Sequence, residues 1–260
     1  MSLVGQAALL VSFPVVASVA GALVAAVRPP GPRVVSAVQH FAAGVVTAAL
    51  VGEIMPELRR EGHLVWTIVG FVAGAVLVLA LGAYGRRTEA QAEAEAELSR
   101  RGGFRNKAVI AATAATLPIG MLGAMAVDLL LDGVLVGLGA RLGFTQGLIL
   151  TIALTLEILF LGLSVVAELK QAGFSARRAV LICTGLGLMT AVGAIGAALL
   201  LAGVSTTIMS AVLAFGAAAL LYLVVEELLD EAHEEKESVA LGASYFAGFL
   251  VIYVLSALGG

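Results

Sequence analysis

The chain has 260 residues, of which 60% are hydrophobic and 13% charged, with a mean hydropathy of +1.06 and a formal net charge of −3. That composition lies well outside the range of ordinary globular domains and reads as an integral membrane protein, with the lipid bilayer as its surroundings and no nucleic acid expected as a partner. The single cysteine, Cys183, leaves neither a disulfide nor a thiolate metal site and reads as a small apolar packing residue.

A helix needs about 20 apolar residues to cross the hydrocarbon core. Met1 to Val27 carries no charge and predicts a first crossing at 4–27. It lacks the basic start of a signal peptide and is too long for its apolar core. A second crossing is expected at 34–56 and a third at 64–85, where Leu64 to Gly85 is again uncharged. The segment 86–107, RRTEAQAEAEAELSRRGGFRNK, is rich in alanine and glutamate and predicts a cytoplasmic helical extension that breaks at Gly102 and Gly103. It reads either as a regulatory element or as a solvated connector whose basic ends anchor the membrane interface. Two further crossings follow at 108–138 and 144–168.

Between Arg178 and Glu226 lie 47 uncharged residues, too many for one crossing at about 1.5 Å per residue. A turn at AGVST, residues 202–206, divides the run into helices at 177–201 and 206–229, and a last helix is expected at 239–258. The chain is thus one all-α transmembrane domain, 1–260. Helices 1–3 fall within 1–85, the cytoplasmic loop is 86–107, the central helices 4 and 5 fall within 108–170, and helices 6–8 within 171–260.

The connections after helices 1, 3, 5 and 7 hold twelve of the fifteen basic residues, and the opposite ones hold only Arg59, Arg60 and Arg141. The positive-inside rule places the first set in the cytoplasm and both termini outside the cell or inner membrane.

FAAGVVTAALVGEIMPE from Phe41 aligns without a gap to FGAAALLYLVVEELLDE from Phe215, at a constant offset of 174. Phe41 meets Phe215, Glu53 meets Glu227, and Glu57 meets Glu231. Under this topology the two helices run in opposite directions, which is the mark of an inverted-topology repeat of the 3+2+3 kind; the alternative is chance similarity between alanine-rich helices.

The central pair carries acids deep in its apolar runs. In AVDLLLDGVLVG, Asp128 and Asp132 are four residues apart and share a helix face, and Glu157 is the one charge in the middle of the fifth helix. Each acid costs about 2.5–3.5 kcal/mol near the bilayer centre, so together the three oppose insertion by on the order of 10 kcal/mol. No lysine, arginine or histidine stands near them in sequence. They read as a site for a cation or protons, or alternatively as buried acids held protonated as interhelical hydrogen-bond donors. Glu53, Glu57, Glu227 and Glu231 lie near helix ends, either as plain interfacial acids or as guides for a cation. His40, near the inner end of the second helix, reads as a lone hydrogen-bonded imidazole, and His63 and His233 fall in loops. The GFVAG stretch, Gly70 to Gly74, is a close-packing motif for contacts within or between protomers.

These features resemble the ZIP (Zrt/Irt-like) family of divalent metal transporters over essentially the whole chain. AAGVVTAALVGEIMPEL is similar to the family's second helix, with Glu53 where a histidine is typical before Pro56 and Glu57. The fourth-helix motif falls on Asp128 to Gly133, with Asp128 and Asp132 at ligand positions. The fifth-helix motif places Glu157 at its first ligand position and Leu161 where a second carboxylate is expected, and the Glu-Pro pair of the sixth helix falls on Thr190 and Ala191. The motif histidines and prolines are absent.

The resemblance implies transport of a divalent cation (Zn, Fe, Mn or similar) towards the cytoplasm by Asp128, Asp132 and Glu157; Glu53, Glu57, Thr190, Glu227, Glu231 and His40 are candidates for additional positions along the pathway. It implies helices 1, 4, 5 and 6 moving against 2, 3, 7 and 8 in an elevator manner, and a homodimer. Carboxylates without imidazole suit hard cations such as Mn, Mg, Ca or Fe(II) at least as well as Zn. The metal is cargo; no prosthetic group is expected, and no nucleophile–base pair marks an enzyme. The competing readings are a ZIP-like fold that moves protons, another cation or a small solute, and a non-transporting sensor or assembly protein acting through 86–107.

Overall fold

The computed structural model describes residues 1–61, 63–101, 119–233 and 238–259. The secondary structure of these residues is helical throughout, and eight of the helices are long and apolar enough to cross a membrane, so the chain is a multi-pass membrane protein. They are α1 (Leu3–Val27), α2 (from Pro32–Ala49 through Leu50–Ile54 to Met55–Glu61), α3 (Leu64–Arg101), α4 (Ile119–Leu142), α5 (Phe144–Gln171), α6 (Ala176–Leu200), α7 (from Thr206–Tyr222 through Leu223–Leu228 to Leu229–Ala232) and α8 (Val239–Gly259).

Local chemistry sets the ends. Ser2, Ser175 and Ser205 accept hydrogen bonds from the backbone N–H groups of Gly5, Arg178 and Ile208, capping α1, α6 and α7. Pro32 opens α2, where a missing N–H costs nothing. α5 closes with Phe174 N–H on Leu169 O and Gly173 N–H on Lys170 O, and this wrap needs the φ of +89° that Gly173 adopts. The Lys170 ammonium donates to Ala25 O and Ala26 O, the orphan carbonyls at the end of α1.

The expected crossings all appear, with shifted ends. α2 runs to Glu61 rather than 56, and α4 continues to Leu142 rather than 138, ending at Gly143 with φ +149°. α3 continues without interruption to Arg101, so the first part of the 86–107 segment is the expected helical extension. The break at Gly102 and Gly103, and the expected start of the fourth helix at 108, lie outside the described residues.

Two widened turns interrupt α2 and α7. Met55 N–H donates to Leu50 O, and Leu229 N–H donates to Val224 O, five residues back in each case rather than four. Both members of these pairs are again separated by 174. Single π-helical turns of this kind recur at functional sites because they re-aim the side chains around them.

Packing divides the helices into groups. α1 packs on α5 and α6, and α4 packs on α6 and α5, while α2 pairs with α8 and α3 with α7. The close approaches use glycine where no side chain fits. Gly248 lies against the Phe41 carbonyl, and a Cβ at Gly74 would stand 2.7 Å from the Phe215 carbonyl oxygen. Gly70 and Gly74 therefore serve contacts between α3 and α7 within the protomer.

Candidate metal centre

The acids are delivered by three glycine-dependent contacts. Gly133, next to Asp132, lies against Thr190 O, and Gly193 lies against Leu130 O, seating α4 on α6 at the level of the aspartates. α4 and α5 meet at Gly139 and Gly147, where a Cβ on Gly147 would be 2.9 Å from Ala140 N. A larger residue at any of these points would push the helices apart.

Asp128, Asp132 and Glu157 thereby converge, each offering a carboxylate oxygen within 4.8 Å of the others. Asp132 is 2% exposed and Glu157 3% exposed, while Asp128 is half-buried and faces a cavity. Asp132 Oδ2 and Glu157 Oε2 have no hydrogen-bond partner among the described residues. Nor does an ion pair among those residues reach any of the three acids; Arg86, which lines the same cavity, pairs with Glu226 at 3.8 Å. A buried polar oxygen without a partner carries a desolvation cost of about 1–3 kcal/mol, more when charged. Three facing carboxylates cannot all stay ionised on their own, so the cluster holds protons or a cation between its oxygens. The spacing allows one metal ion to be shared by all three.

The cluster borders a cavity of about 370 Å³. Besides the three acids, its lining includes Gln39, Glu227, Arg86, Glu226 and Asp230. Arg86 and Glu226 are 60% and 47% exposed, so the cavity opens at the bundle end from which α3 extends past the membrane.

The other expected site residues take different places. Glu227 lines the cavity, whereas Glu53 is 9% exposed and accepts a 2.6 Å hydrogen bond from Ser256 Oγ of α8, away from the cluster. Glu57 is half-buried near the end of α2, and the side chain of Glu231 lies outside the described residues. Thr190 is fully buried beside Gly133, with Oγ1 unpartnered among the described residues. His40 does not stand alone: its Nδ1–H donates to Ser36 O at 2.8 Å, and its ring meets His233 edge to face at 5.2 Å. A sequence separation of 193 residues hid that contact. Cys183 is buried and free, as expected of a packing residue.

Sequence reasoning missed Gln39 and Arg86 as cavity residues. Gln39, in SAVQHFAAG, is an uncharged polar residue in an apolar stretch, and that exception was the available signal. No protein-family model matches the chain, and no curated protein matches it.

Proposed function

We propose that this protein is a ZIP-like transporter that carries a divalent metal cation towards the cytoplasm, with Asp128, Asp132 and Glu157 as the ligands of its midplane site. One observation carries the reading: three acids from two helices meet within 4.8 Å in a chain that must insert into lipid, with no basic partner among the described residues. Their insertion cost of on the order of 10 kcal/mol is offset if a cation occupies the cluster.

The inverted repeat is supported by recurrences of the 174-residue offset beyond the aligned helices. It relates the two five-back hydrogen bonds, Met55 to Leu50 and Leu229 to Val224, and it relates Gly74 on Phe215 to Gly248 on Phe41. Exchanging the halves also turns the α1–α5 pairing into α6–α4, and α2–α8 into α7–α3. The same pattern gathers α1, α4, α5 and α6, which carry the acids, as the moving unit of an elevator, and leaves α2, α3, α7 and α8 as scaffold. The exposed apolar flanks of α3 and α8 suit lipid or a second protomer.

The excess of basic residues supports a cytoplasmic cavity mouth at Arg86 with both termini outside, which is an inward-facing arrangement. Leu161 and Thr190 stand where the family carries further polar ligands, so the site takes one ion per protomer. A ligand set of carboxylate oxygens favours Mn(II), Fe(II), Mg or Ca at least as much as Zn.

The test is uptake into proteoliposomes from a panel of divalent ions. Wild-type protein should accumulate metal, and Asp132→Asn should abolish uptake while the protein still folds. Flux unchanged by Asp132→Asn, or pH-driven flux with no metal requirement, would overturn the proposal.

A further inference from the structure

Gln39 is 1% exposed and lines the cavity that holds the carboxylates, and its Oε1 has no hydrogen-bond partner among the described residues. A buried amide oxygen left unpaired is as costly as other orphaned acceptors. Asp132 Oδ2 and Glu157 Oε2 border the same cavity in the same condition. Donors that line the same cavity, among them Arg86, Ser164 and Tyr222, make no hydrogen bond to any of these three oxygens, and a cation answers all three orphan acceptors at once. Gln39 comes from α2, not from the helices that carry the acids. Glu227, from the π-turn of α7, borders the cavity as well.

We propose that Gln39 Oε1 is a neutral oxygen ligand for the divalent cation in the inward-facing cavity, so that α2 contributes to a mixed carboxylate–amide oxygen site. This rests on the transport reading above. Hard cations accept carboxamide oxygens readily, whereas zinc favours imidazole and thiolate, so the ligand adds to the preference for Mn(II), Mg or Ca. A neutral ligand also limits how tightly the ion is held. The three carboxylates, with Glu227 in the same cavity, already exceed the charge of one divalent ion, and a further negative group would slow its release into the cytoplasm.

The experiment measures Mn(II) and Cd(II) affinity of purified full-length protein in detergent, with thermal melting of each variant as a check on folding. Gln39→Leu should weaken Mn(II) binding about tenfold or more. Gln39→Met, which exchanges the oxygen for a thioether, should shift preference from Mn(II) towards Cd(II). Gln39→Glu should bind Mn(II) more tightly and release it more slowly, and the shift towards Cd(II) in Gln39→Met is the result that a packing role does not produce. Asp132→Asn, measured alongside, separates the two claims. If Asp132→Asn loses binding but all three Gln39 variants keep wild-type affinities and preference, the Gln39 proposal is wrong and the carboxylate site stands. If Asp132→Asn binds as wild type, the carboxylate site is wrong, and the Gln39 proposal, which rests on it, falls with it. Should Gln39→Leu fail to fold, the Met and Glu variants decide the matter in the same way.

Discussion

Glu53 and Glu227 occupy equivalent places in the two π-helical turns, 174 residues apart, yet they have opposite surroundings. Glu53 is sealed against α8 by the hydroxyl of Ser256, while Glu227 borders the cavity that holds the acid cluster. Two copies of one local structure thus carry one acid sealed by a hydroxyl and one that borders a cavity, the asymmetry that the proposed inward-facing arrangement requires.

That asymmetry makes the two glutamates separable. Glu227→Gln should weaken equilibrium metal binding severalfold, because it removes a negative charge from the cavity in a medium of low dielectric. Glu53→Gln should leave it unchanged, since its amide oxygen still accepts from Ser256. Titration calorimetry on both variants checks this; equal losses in the two would contradict the separation.

Ser256→Ala removes the hydroxyl that satisfies a buried carboxylate. A cost of about 1–3 kcal/mol in stability is expected, read as a lower melting temperature in detergent, with cation affinity unaffected.

Glycine contacts hold Asp132 in position, and their removal should be felt at the site. Gly193→Ala places a Cβ against the Leu130 carbonyl, whereas a Cβ at Gly196, three residues along the same helix, meets nothing within 4 Å. The first substitution should destabilise by about 1–3 kcal/mol and weaken metal binding. The second should be neutral or slightly stabilising, because alanine is the better helix former. Melting curves and binding of the two variants make the comparison.

Binding should release protons. The cation requires ionised carboxylates, so protons compete with it: affinity falls as pH is lowered and rises as pH is raised until the cluster is fully ionised. Adding Mn(II) to weakly buffered protein should acidify the solution, and Asp132→Asn, which binds no metal, should abolish the release. An affinity independent of pH would contradict a carboxylate site.

Much of this could be read from the chain because lipid imposes strong rules. Uncharged runs such as Leu64 to Gly85 have one solution in a bilayer, and the 47-residue run broke at Ser205 because serine caps a helix. Asp128, Asp132 and Glu157 were visible because charge is expensive there. What escaped depends on contacts between distant segments. The pairing of His40 with His233, the sealing of Glu53 by Ser256 and the opening of Gln39 into the cavity are set by which helices neighbour one another, and no local pattern records that. The π-turns escaped because they shift a hydrogen bond by one residue without altering the apolar pattern.

The central claim is that one divalent cation binds among Asp128, Asp132 and Glu157, and metal content tests it most directly. Purified protein equilibrated with Mn(II) and freed of excess should retain about one metal ion per protomer by elemental analysis, and Asp128→Asn and Asp132→Asn proteins of unchanged melting behaviour should retain none. Equal metal in wild type and variants, or no metal in either, would contradict it.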